Sequence, residues 1–113
     1  MEPLQITLKG HLTNSQLHHA FDKVEAELER SAVPCGLIVD CSSMSSYDMA
    51  ARSTFVEWNK KWRGKISRVA IVTDKWLWHM VISVMAKAAG QSMKPFANLE
   101  NAREWVQGEK PAE

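Results

Sequence analysis

The sequence predicts an α/β domain: elements in the order βαβαβαβα, with a small, mostly parallel or mixed four-stranded sheet and helices packed on it. Two short continuous apolar runs, "GLIVDC" and "ISRVAIVT", have the pattern of strands covered on both faces. Each is followed by a longer stretch whose apolar residues recur at helical spacing. With 113 residues, 45% of them hydrophobic, the chain suits one compact domain. That domain is expected over residues 1–108, leaving a polar C-terminal tail at 109–113.

The first strand is "LQITLKG", where Leu4, Ile6 and Leu8 alternate onto one face and Gly10 is expected to end the strand. Thr13 and Gln16 then form a capping-box pattern. Leu17, Ala20, Phe21, Val24 and Leu28 follow as a helical stripe. Pro34 and Gly36 punctuate the chain before the second strand, which is expected to end at Asp40. The run "CSSMSSY" reads as a polar connection, with Ser46 or Asp48 capping the next helix. In that helix Ala51, Phe55, Trp58 and Trp62 share a face, and Gly64 stops it. After the third strand, Asp74 is expected to cap "KWLWHMVISVMAKAA", and Gly90 to close it. "MKPF" is a short edge strand, since Pro95 lacks a ladder donor. "NLENAREWV" is a closing helix capped by Asn98.

A net charge of +1 excludes a chain that binds nucleic acid by bulk electrostatics. No apolar run reaches the roughly 18 residues a bilayer span requires. The N-terminus lacks a secretory apolar core. Cys35 and Cys41 form neither a disulfide framework nor a metal motif, so a cytoplasmic protein with reduced thiols is expected. His11, His18, His19 and His79 show no paired metal-ligand spacing, and no cofactor is expected. The segment "WNKKWRGKISR" mixes aromatics with Lys60, Lys61, Arg63, Lys65 and Arg68; these cations are read as complementing a helix C-terminus rather than as a nucleic-acid or lipid patch.

Four ordered segments, "LQITLKGHLT", "LIVDCSSMSSYDMAA", "KISRVAIVTDKWLWHMV" and "MKPFANLENAREWV", resemble the STAS domain superfamily and, within it, the SpoIIAA-like proteins. The resemblance spans nearly the whole domain. It implies a bacterial, non-enzymatic regulatory module that binds proteins. The founding members of the superfamily are anti-sigma-factor antagonists, phosphorylated on a serine just after an aspartate at this loop-to-helix junction. Here the junction reads Asp48-Met49-Ala50-Ala51, so Met49, which has no hydroxyl, stands where that serine would be. The SpoIIAA-like branch is also similar in shape to CRAL-TRIO lipid-transfer domains, which implies a lipid or other small apolar ligand as the alternative.

Ligands of open α/β sheets sit beyond the carboxyl ends of the strands. The candidate binding surface is therefore Asp40, Ser42, Ser43, Ser45, Ser46, Tyr47, Asp48, Met49, Asp74, Lys75 and Trp76. No nucleophile elbow surrounds any of the serines, so no catalytic residue is assigned. The simpler roles for the two acids are that Asp40 binds amides of its own turn and Asp74 caps its helix. Trp76 and Trp78, two residues apart on a helix, face different ways, leaving one near the surface or over a cavity. The expected partner is an unidentified protein or a small apolar ligand, with homodimer formation left open. An apolar-ligand binder would enclose a cavity beside Trp76, Met80 and Met85; a protein-binding module would have a filled core and an exposed loop.

Overall fold

The computed structural model describes residues 2–108, so the polar tail expected at 109–113 lies outside the described residues. Its elements are β1 (Leu4–Leu12), α1 (Asn14–Arg30), β2 (Cys35–Tyr47), α2 (Met49–Trp62), β3 (Ile66–Val72), α3 (Trp76–Ala89), β4 (Met93–Phe96) and α4 (Leu99–Val106). The strands form one sheet in the order β1-β2-β3-β4, and every pairing is parallel. Pro95 lies on the edge strand β4, where its missing N–H costs no inner ladder bond.

One face of the sheet carries α1, α2 and α3. Their core joins Leu17, Phe21 and Leu28 of α1, Phe55, Trp58 and Trp62 of α2 and Ile82 of α3 to Leu37, Val39, Val69 and Ile71 of the sheet. The opposite face carries α4, whose Ala102 and Val106 cover Ile38, Ala70 and Val72. The two apolar runs are therefore buried on both sides, as their unbroken hydrophobicity requires. α4 approaches β2 so closely that a Cβ at Gly36 would stand 2.1 Å from Val106 Cγ1. A glycine at position 36 is what lets this helix dock.

Local signals set the helix starts. Thr13 and Gln16 complete the capping box of α1, Asp48 accepts from Ala51 N at the start of α2, and Asn98 accepts from Asn101 N at the start of α4. Three of the five cations of the basic segment serve helix ends elsewhere in the fold, while Lys60 pairs with Glu57 and Lys61 lies over the Trp62 ring. Lys65 Nζ donates to Ser31 O after α1, Arg63 Nη1 to Ala89 O in the last turn of α3, and Arg68 Nη1 to Trp105 O in the last turn of α4. One short stretch thus satisfies free carbonyls of three helices.

Three expectations are corrected. Gly10 does not end β1. It takes a left-handed φ of 59° inside the strand, beside a register shift between Gly10 and His11. The serine run is not a connection either: β2 continues through it to Tyr47, paired with β1 as far as Leu12. Two bulges make this extension possible, since β2 advances three residues from Asp40 to Ser43 while β1 advances two, and two from Met44 to Ser46 while β1 advances one. Each extra residue resets the pleat, so Cys41 and Met44 are buried, Tyr47 is half-buried, and the four serines stay exposed. Finally, Asp74 does not cap α3. The N-cap position is Lys75, whose backbone N–H is taken by the Thr73 hydroxyl, and Asp74 is exposed.

Candidate functional site

β3 ends opposite Asp40, at Val72, whereas β2 runs on for seven more residues. A two-stranded ribbon of β1 and β2 therefore projects past the carboxyl edge of the sheet. The chain leaving β3 turns against this ribbon, and Lys75 Nζ donates to Met44 O at 2.8 Å. The same ammonium group lies 5.1 Å from the centre of the Trp78 ring. Trp78 in turn meets Tyr47 edge-on at 5.5 Å. These contacts join the end of β2 to the start of α3. Met49 and Trp76, each two residues from a member of the Tyr47–Trp78 pair, project outward with exposures of 66% and 70%.

Asp48 serves two helices. Its Oδ1 accepts from Ala51 N at 2.7 Å and its Oδ2 from Asn14 N at 3.3 Å, so one carboxylate holds the N-termini of α2 and α1. These N–H groups are occupied by the protein itself. Asp40 Oδ1 accepts from the backbone and hydroxyl of Ser42. The sequence offered Asp40 a bond to amides of its own turn; the bond forms, but inside the bulged strand β2 rather than in a turn. Ser46 Oγ lies 2.7 Å from His11 Nδ1 across the ribbon. Ser43 and Ser45 are exposed, as is Asp74, which has no capping role. The structure thus brings Tyr47, Lys75 and the serine strand together and displays Met49 and Trp76 beside them. Asp40 and Asp48 are turned to backbone amides.

Sequence reasoning placed Trp76 in the site but missed the rest of the outer face of α3. Trp76, Leu77, Met80 and Val84 fall within one helical stripe, and all four are exposed. The opposite stripe, Trp78, Val81, Ile82 and Met85, faces the core. A helix apolar on two faces in a sheet layer that can cover only one is the signal that would have found it.

Behind α3 lies a cavity of about 70 Å³, lined by Cys41, Met44, Tyr47, Phe55, Trp78, Ile82 and Met85 among others, with no polar surface. Its place differs from the expected one: Trp76 and Met80 point away from it, and Trp78 and Met44 take their place. Burial, reinforced by the charge of Asp40, pushes the Cys41 thiol up to about 12, so this cysteine is a protonated, unreactive part of the wall. Among the described residues no group of three or more His, Cys, Asp or Glu side chains is placed to hold a metal ion. No helix among them is long and apolar enough to cross a membrane.

A family model described as SpoIIAA-like matches residues 4–107. A crystal structure of an uncharacterised protein of the DUF3478 family, with a SpoIIAA-like fold, from Shewanella loihica PV-4 is similar to this chain. The TM-score is 0.74 at 18% identity, covering 90% of this chain and 82% of that one. None of the curated proteins compared matches the sequence.

Proposed function

The chain belongs to the SpoIIAA-like family, and from that premise we propose that it is a non-enzymatic, cytoplasmic regulatory module that recognises a partner protein at the carboxyl edge of its sheet. The observation that carries this reading is the exposed stripe Trp76-Leu77-Met80-Val84 on α3, beside the tethered strand end Ser42–Tyr47 and the exposed Met49. Contiguous exposed apolar surface next to polar groups is the usual composition of a binding face, and an exposed tryptophan within it is a typical anchor. The serines and Asp74 form the polar rim. Met49 has no hydroxyl at the position where the founding members of the superfamily are phosphorylated, which favours binding by surface shape and apolar contact; a phosphate found on Ser42, Ser43, Ser45 or Ser46 would point to a displaced switch instead. Native mass spectrometry after mild purification from the source cell tests the reading. A protein partner should co-purify, and Trp76→Ala with Met80→Ala should release it while leaving the melting temperature unchanged. Retention of the partner by that variant sinks the proposal.

The second reading, a small apolar ligand, is favoured by the cavity behind α3. About 70 Å³ is well below the roughly 300–1,000 Å³ of ordinary ligand sites. An acyl chain would therefore need the site to widen. The same spectra decide: a bound lipid appears as a discrete added mass that organic solvent removes.

A further inference from the structure

We propose that the outer edge of β1 is a second docking site, where an extended acidic segment of a partner protein adds as a fifth strand. Among the described residues β1, an edge strand of nine residues, pairs only with β2, so its other side presents backbone groups that no described strand takes up. Such an edge templates strand addition unless it is bent or guarded. In β1 the guards are confined to one half. From Leu4 to Thr7 the strand runs in unbroken register with Leu37–Asp40, and both bulges come after Thr7. The first half is therefore regular enough to accept a neighbour.

A groove of about 490 Å³ runs along this edge, between β1 and α1. That volume falls within the range of roughly 300–1,000 Å³ found for ligand sites. Buried Ile6, Leu8 and Val24 line it, and above them stand the exposed side chains of Lys9, His19 and Lys23. No aspartate or glutamate lines it. The two ion pairs among the described residues, Arg30–Glu27 and Lys60–Glu57, use neither Lys9 nor Lys23. Across the strand, Arg103 of α4 reaches Gln5 Oε1 at 3.5 Å and adds a further positive charge near the edge. Backbone pairing supplies affinity in this mode, and the lysines select carboxylates on the incoming strand. The groove lies on β1 and α1, apart from the α3 face, so the two sites fail independently.

The experiment pans phage-displayed random dodecapeptides against the intact protein and titrates the selected peptides, made synthetically, by amide NMR. The expected peptides are rich in Asp or Glu alternating with β-branched residues. They should shift and protect amides of Leu4–Lys9 and shift those of His19 and Lys23. The double charge reversal Lys9→Glu with Lys23→Glu, at exposed positions, should weaken binding about tenfold or more, and Trp76→Ala should leave it unchanged. The proposal is overturned if no acidic peptide is selected, if the shifts map elsewhere, or if charge reversal leaves affinity intact. It is also overturned if the Leu4–Lys9 amides are already protected in a dimer of the protein alone, since a second copy is then the occupant.

Discussion

Helices α1 and α3 lie on the same face of the same sheet and use their apolar residues in opposite ways. α1 carries six charged side chains in seventeen residues, yet Leu17, Phe21, Val24 and Leu28 are all buried. α3 has a single charged side chain, Lys87, in fourteen residues and fully buries only Ile82 and Ala89. α1 is also fixed by a complete capping box, whereas α3 starts without a side-chain cap. Phe21 of α1 stacks on Trp58 of α2 at 3.9 Å with the rings 5° from parallel, and Trp58 Nε1 donates to Glu25. α3 is held instead by the Tyr47–Trp78 edge contact and His79 Nε2 at Thr73 O near its start, and by Arg63 Nη1 at Ala89 O near its end. The difference teaches that apolar content does not measure how firmly a helix is packed; the excess on α3 stays exposed.

The largest effect expected is in the sheet beneath both helices. Val39→Asp should cost about 3 kcal/mol or more by burying an unpaired carboxylate; a denaturation midpoint like the parent's would break the common frame of the comparison. Phe21→Ala, on the firm side, should cost about 3 kcal/mol through the lost stack and the cavity left behind, read by the same unfolding curve. The wall between the two regions titrates. An unfolded Cys41 thiol ionises from pH 9.0, and the folded one keeps its proton to about 12. The unfolded chain therefore binds fewer protons in that window, and stability falls as pH rises through it. Cys41→Ala should flatten this fall between pH 9 and 12, and an unchanged slope would assign it to other groups. Asp48→Ala should cost about 1–2 kcal/mol, because two helix N-termini lose their acceptor. Smallest of all, Met80→Ala on the outer face of α3 should change stability by less than about 0.5 kcal/mol. If it costs as much as Phe21→Ala, the contrast between the helices is false.

What could be read from the sequence was what is local. The caps at Thr13, Asp48 and Asn98 are written in adjacent residues, and the buried strands in unbroken apolar runs. The β2 extension was hidden because its inward residues, Cys41, Met44 and Tyr47, recur every third position. That spacing is neither a strand's nor a helix's, and it arises only because two bulges shift the strand against β1. Asp74 has the residue type of a cap but sits one position before the N-cap Lys75, and α3 starts without a side-chain cap. Strand order put Asp40 beside the end of β3, but the meeting of Tyr47 with the α3 start depends on the β2 extension, which runs seven residues past that point. The β1 groove was invisible because an empty edge belongs to the assembled sheet.

The uninterrupted strand order β1-β2-β3-β4 has a consequence for the shape of any binding event. Doubly wound sheets take their ligands in the crevice at a topological switch point, where successive strands begin to add in the opposite direction and the flanking helices part. A sheet that adds each strand to the same side, with α1, α2 and α3 all on one face, contains no such reversal and opens no crevice of that kind. The molecule is a slab, and the proposed docking surfaces lie along its borders: at the projecting ribbon, along α3, and at the outer strand.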